Sequence, residues 1–330
     1  MRSCARLLGV MVCLGSLAAC TKAEPERRES SSKTVTAQPA ASEPGPGLGA
    51  TQRPATTVVR PRVQGERALS YVRQIVAFGP RPPGSEGHRK VEAYLRRQLK
   101  SDNLEEDAWT AQTPAGPLPM RNFVAKFPGE KDGIIVLATH YETNYPLKNY
   151  VGANDGGSST GLLLELAHHL RGKKRKGYSV WLAFLDGEEA VREWSAADSL
   201  YGSRRLAERW TKDGTVKMIK AFLLADLVGD RELHIDRDLN STPWLLDVVQ
   251  QAAANLGYQS YFFQRAVTVE DDHLPFRNAG VPVADLIDFE YGYGNVFHHT
   301  PEDTWDKLSA KSLQVVGEVM LETVRLLDER

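Results

Sequence analysis

Cysteine is nearly missing from this chain of 330 residues: there are three, Cys4, Cys13 and Cys20, all at the start. Nothing beyond Cys20 can form a disulfide, so a fold there must rest on its core and on any metal it holds. Net charge is also lacking, with 41 Lys and Arg against 42 Asp and Glu, a formal -1. That balance gives no reason to expect a nucleic-acid partner. The opening apolar stretch, "LLGVMVCLGSLAAC", is too short to span a bilayer as a stable helix. No internal repeat is present.

That opening stretch still has a pattern. Arg2 and Arg6, a short apolar core and small residues before a break read as an export signal over residues 1–19. "LAAC" resembles the bacterial lipoprotein signal, which implies lipidation of Cys20, and Thr21 after it favours an outer membrane where there is one. An ordinary cleaved signal that happens to contain Cys20 is the plainer alternative. Residues 20–62 are rich in Ser, Thr, Ala, Pro and Glu and cannot bury enough surface to offset their ordering entropy, so a disordered tether is expected. Residues 63–330 are long enough for one large core. The expected location is the bacterial envelope, lipid-anchored on the periplasmic side or in the outer membrane, and a monomer is expected.

Two helical patterns, "ERALSYVRQIVAFG" and "SEGHRKVEAYLRRQL", open the domain, and weak strands near Glu105–Thr113 and Arg121–Phe127 suggest an edge hairpin. Strand-like runs then alternate with helices, the sign of an α/β fold with a parallel or mixed sheet. "GIIVLATHYE" ends near His140, "YSVWLAFLDGEE" at Glu188 and Glu189, "IKAFLLADLVGD" near Asp226, and "VPVADLID" follows. "GLLLELAHHL" reads as a helix with one apolar side after Asp155, and "SAKSLQVVGEVMLETVRLL" as the closing helix. "RGKKRKG" reads as a solvated helix end.

The polar residues then fall into order. His140, Glu188, Glu189 and Asp226 stand at carboxyl ends of strands, the edge where open α/β sheets bind ligands. Two adjacent glutamates repel unless a cation, a proton or solvent relieves them, and solvent at an exposed turn is the simplest relief. His299 in "FHHTPEDT" makes more of them: one His, one Asp and one Glu suit a zinc ion.

"THYE", "VGANDGG", "FLDGEEA", "ADLVGD" and "HHTPEDT" together resemble the zinc exopeptidase fold shared by di-zinc aminopeptidases and animal-type glutaminyl cyclases. The segment Trp194–Ser203, "WSAADSLYGS", and "EDDHLPFRNAGVPVADLI" resemble the cyclases in particular. The resemblance implies a three-layer α-β-α sandwich around a central mixed, largely parallel sheet. It implies Asp155, Glu189 and His299 as ligands of one zinc, Glu188 as proton shuttle, and Asp226 and Asp271 in the network beside it. Trp194 and His298 become walls of the substrate pocket. The implied reaction converts the N-terminal glutamine of peptides or proteins to pyroglutamate with release of ammonia. Two alternatives stay open: an aminopeptidase with a second zinc at His140 and Asp226, bridged by Asp155, or a catalytically silent envelope-binding module. For the cyclase, His140 and Asp226 are the vestige of that second site.

Three positions depart from the family pattern: Glu142 replaces an aspartate behind His140, Asp285 a histidine near the site, and His298 a tryptophan before the ligand histidine. These bear on substrate preference. His88, His168, His169 and His234 read as surface or helix-end residues, and His273 as orienting its loop rather than binding metal.

Overall fold

The computed structural model describes residues 62–330. The leader at 1–19, Cys20 and the tether apart from Arg62 lie outside the described residues. Helices α1 (Gly65–Val76) and α2 (Glu86–Leu99) precede strands β1 (Leu104–Thr113), β2 (Gly116–Phe127) and β3 (Gly129–His140). Next come α3 (Gly157–Leu170), β4 (Arg175–Leu185), α4 (Tyr201–Lys212), β5 (Ile219–Asp226) and β6 (Ile235–Asp238). The chain closes with α5 (Pro243–Leu256), β7 (Phe262–Val267), α6 (His273–Asn278), β8 (Val283–Ile287) and α7 (Ala310–Asp328).

Six strands form one sheet in the order β1-β2-β4-β3-β5-β8. β3, β4, β5 and β8 run parallel, while β1 and β2 are antiparallel additions. β2 pairs with β4 as well as β1, so within the hairpin β1 alone is an edge strand, and β8 is the opposite edge of the sheet. The central strands are buried on both faces. Ile135 and Leu137 of β3 pack with α1, α3 and α7, whereas Val136 and Ala138 join Leu206 and Trp210 of α4 and Phe276 of α6. Period-two alternation sends successive side chains into different cores, and a three-layer α-β-α sandwich results.

Three expectations change. α3 is buried almost all round, from Gly157 through Ala167, rather than along one side. Its Glu165 is neutralised by Arg67, whose Nε donates to Oε2 at 2.5 Å. β4 stops at Leu185, so Glu188 and Glu189 sit on the turn beyond it. The basic run after α3 is not merely solvated: Arg171 pairs with Asp102, and Arg175 opens β4 and meets Asp328 at 2.8 Å. β6 and β7, a separate parallel pair, and helices α4, α5 and α6 carried no clear pattern in the sequence. Among the described residues, no helix is long and apolar enough to cross a membrane.

Candidate active site

The sheet topology places the site. β4 lies on one side of β3 and β5 on the other, so the connections diverge and leave a crevice at the carboxyl ends of the strands. Loops after β3, β4, β5 and β8 all open there. They line a cavity of about 440 Å³ that includes Asp155, Glu188, Glu189, Trp194, Asp226, Asp271, His298 and His299.

Asp155 reaches the crevice on a tight loop. Gly156 has φ +64, and a Cβ there would lie 2.8 Å from His140 Cε1, so only glycine lets the loop close over that ring. Arg81, fully buried, braces the same loop: its guanidinium donates to the carbonyls of Tyr141 at 2.6 Å, Gly152 at 2.8 Å and Asp155 at 3.2 Å. Asp303 accepts from the backbone N–H of Asn154 at 2.8 Å and of Asp155 at 3.2 Å, and Tyr150 Oη donates to Asp155 Oδ2 at 2.6 Å.

The glutamate turn is held from behind. Asp186 takes His88 Nε2 at 3.0 Å, Tyr141 Oη at 2.9 Å and the Arg121 N–H at 2.6 Å. His88 is therefore 1 % exposed, a buried partner of the turn and not a surface residue. Gly202 lets α4 approach: a Cβ there would meet Asp186 O at 2.4 Å. The segment between the turn and α4 wraps around Asp198. Its carboxylate accepts the N–H groups of Val191 at 3.0 Å, Arg192 at 2.8 Å and Glu193 at 3.1 Å, and Tyr201 Oη at 2.7 Å. Trp194 follows directly, lines the pocket, and donates from Nε1 to Glu270 Oε2 at 3.2 Å.

The adjacent glutamates point to different partners. Glu189 Oε1 lies 3.0 Å from His299 Nε2, while Asn144 Nδ2 donates to Oε2 at 2.8 Å. Burial raises the Glu188 carboxyl well above the ordinary range, reinforced by Asp271, Glu189 and Asp272. Asp271 is raised likewise by burial and by Asp226 and Asp272. Burial also pushes Asp155 upward, but hydrogen bonds from His140 and His299 outweigh it and hold the carboxyl well below its usual range. His299 opposes burial with Asp155 and Glu189 and is pushed up to about 11. It also adopts a left-handed φ of 54°, a conformation that costs energy in a non-glycine residue.

A cluster this acidic suits a cation, and its spacing can be tested. Zinc bonds of about 2.0–2.2 Å put tetrahedral neighbours roughly 3.3 Å apart. His299 Nε2 is 3.0 Å from Glu189 Oε1 and 3.3 Å from Asp155 Oδ2, each spacing suited to two donors on one ion. His140 Nε2 lies 3.2 Å from both Asp155 Oδ1 and Asp226 Oδ1, so a second donor set, with Asp155 between, is in place. Donor atoms of Asp155, His298 and His299 also gather within 4.8 Å of one another.

The departures are placed as follows. Glu142 is buried behind His140, with Oε1 3.8 Å from Nδ1. Asp285 lies outside the pocket lining, on β8, with Oδ2 3.5 Å from His273 Nδ1, while His273 Nε2 faces Asp238 Oδ2 at 3.3 Å. His298 lines the pocket. Sequence reasoning missed Arg81, Asn144, Tyr150, Asp198, Glu270 and Asp303.

Fold and site define a metal-dependent α/β enzyme of the exopeptidase type. The chain belongs to peptidase family M28, whose model matches residues 122–324. A mouse glutaminyl-peptide cyclotransferase-like protein is 33% identical over 271 residues, 73% of this chain and 70% of that one. The crystal structure of an Acidobacteriales bacterium glutaminyl cyclase is 53% identical with a TM-score of 0.80, over 87% of this chain and 100% of that chain. A Zn-dependent exopeptidase from Parabacteroides distasonis is 25% identical with a TM-score of 0.70, over 82% and 100%.

Proposed function

We propose that this chain is a zinc-dependent glutaminyl-peptide cyclotransferase, acting on peptides or proteins with an N-terminal glutamine. The observation that carries the reading is the pocket itself, in which Trp194, presented by the Asp198-centred loop, walls a cavity containing the divided glutamate pair. Likeness to glutaminyl cyclases over most of the chain points the same way.

The α-amine forms a bond to the side-chain Cδ, the Cδ–N bond breaks, and ammonia leaves. Asp155, Glu189 and His299 would hold the zinc, which would supply Lewis acidity to the γ-carbonyl. Glu188, raised toward the working pH, accepts a proton from the amine and returns it to the departing nitrogen. The charge of Asp271 helps to hold Glu188 there, and Asp226 acts on Asp271 in the same way. Trp194 confines the side chain so that the amine meets the carbonyl carbon. One zinc suffices, and the His140–Asp226 pair serves as a buried support for Asp155.

The same pair favours a second reading, a di-zinc aminopeptidase, because His140 Nε2 stands 3.2 Å from both Asp226 Oδ1 and Asp155 Oδ1, the carboxylate between the two donor sets. Ammonia release from a Gln-initiated peptide, set against amine release from a Leu-initiated one, decides between them. Release of neither would leave the silent envelope module. The catalytic unit is taken to be a monomer, attached to the envelope through lipidated Cys20.

A further inference from the structure

The pocket contains a histidine whose proton position is fixed by its neighbour. Asn295 has a left-handed backbone, φ 63, which turns its side chain back over the loop. Its Oδ1 accepts the Tyr291 backbone N–H at 2.9 Å, and a backbone N–H can only donate. The amide nitrogen Nδ2 is thereby committed to the other side, where it meets His298 Nδ1 at 3.2 Å. An amide NH2 only donates, so His298 Nδ1 must be the bare acceptor and the ring's hydrogen sits on Nε2. The ring is fixed in place by His299, with centroids 4.0 Å apart, and by the edge of Phe289 at 5.7 Å.

An Nε2–H cannot ligate a metal, so the proximity of His298 to Asp155 and His299 is not coordination. Asp155 Oδ2 is 3.8 Å from Nε2, outside hydrogen-bond reach. Trp194 Nε1 is engaged with Glu270, and His299 Nε2 faces Glu189 and Asp155. Among the described residues, His298 Nε2–H is thus an unspent ring donor at the metal end of an otherwise acidic pocket. An N-terminal glutamine brings one acceptor that neither zinc nor Glu188 uses, the carbonyl oxygen of its own first peptide bond.

We propose that His298 is a specificity-determining donor that binds the first peptide carbonyl of the substrate, with Asn295 as the positioning residue that sets its tautomer. The proposal rests on the cyclotransferase reading for the identity of the substrate, but the tautomer does not. His298→Phe keeps the ring and removes the donor, and should raise KM for a Gln-initiated peptide roughly three- to tenfold, with kcat and zinc content unchanged. His298→Trp, a ring that only donates, should restore KM. Replacing the first peptide carbonyl by an alkene isostere should weaken the wild type by the same factor and leave His298→Phe unaffected. Asn295→Asp should move the hydrogen to Nδ1 and raise KM without touching substrate.

The zinc-loaded protein gives an independent readout: histidine ¹⁵N shifts should show His298 Nε2 protonated and Nδ1 bare. A proton on Nδ1, loss of zinc in His298→Phe, or His298→Phe still preferring the carbonyl peptide as the wild type does would each overturn the proposal. If the wild type released no ammonia from any Gln-initiated peptide, the carbonyl role would fall with the reaction, and the ¹⁵N shifts would still decide the tautomer.

Discussion

Asp198→Asn tests whether the loop carrying Trp194 is built by one carboxylate. Asp198 Oδ2 accepts from Arg192 and Glu193, and Oδ1 from Val191 and Tyr201, all between 2.7 and 3.1 Å. Asparagine supplies one carbonyl oxygen, so it can keep one of those pairs while turning its own NH2 toward the donors of the other. Two charge-assisted hydrogen bonds are lost and two donors are left facing a donor, a cost of about 2–4 kcal/mol where water does not fully compensate. The melting temperature should fall by roughly 5–10 °C. The chemical consequence is more specific. With the loop loosened, Trp194 no longer holds its place beside Glu270, so KM for a Gln-initiated peptide should rise about tenfold while bound zinc stays constant. Steady-state kinetics, thermal melts and metal analysis on one preparation check all three quantities. Unchanged KM together with an unchanged melt would refute the reasoning, because the loop would then hold Trp194 without its carboxylate.

Glu188→Gln should retain zinc while turnover falls roughly 10²–10⁴-fold, as expected of a lost general base, whereas Glu189→Gln should lose zinc and recover part of its activity in excess metal; the reverse pattern by metal analysis and ammonia assay would exchange the two roles. Asp288, 1 % exposed, is pushed up to about 8, chiefly by burial, with Asp230 and Asp236 adding to it. A raised carboxyl contributes stability that is fully present below its unfolded pKa near 4 and lost as pH rises through the folded value. Asp288→Asn should therefore flatten the decline in stability between about pH 4 and 8 by up to about 1.4 kcal/mol per pH unit in denaturant titrations, and an unaltered slope would remove Asp288 as its source. Cys20→Ser should move the protein from the membrane fraction to the soluble one, and a variant that sediments with membranes like its parent would rule out lipid anchoring there.

What was legible in the sequence was the strand edge. His140, Asp226 and the glutamate pair announce themselves because charge that closes a buried apolar run is costly to desolvate unless a partner or a ligand meets it there; Asp226 and the glutamates do meet in one crevice, with His140 buried behind it at 3.2 Å from Asp226. The Trp194 segment was legible as a pattern, but its cause was not, since Asp198 works through backbone N–H groups that leave no mark in composition. Long-range partners stayed hidden. His88 looked like a surface histidine because its partner Asp186 is 98 residues away, and nothing near either one names the other. Arg81 sits in a Pro- and Gly-rich stretch that reads as an exposed turn, yet it is buried and donates to four carbonyls of the segment running from β3 to α3. Asp285 was expected near the site. It lies outside the pocket lining, against His273: it shares a face of β8 with Ile287 but sits two residues, roughly 7 Å, further back along the strand, where the charges of Asp271 and Asp226 still reach it.

Metal removal followed by titration with zinc, assayed on two peptides at once, bears most directly on the identity of the reaction. The stripped protein should be inactive, and zinc should restore ammonia release from a Gln-initiated peptide in full at about one equivalent per chain, as a site with three protein ligands and one open position requires. No amine should appear from a Leu-initiated peptide at any zinc level. Activity that emerges only with the second equivalent, accompanied by amine release from the Leu-initiated peptide, would contradict the cyclotransferase assignment and make the His140–Asp226 pair half of a working di-zinc centre.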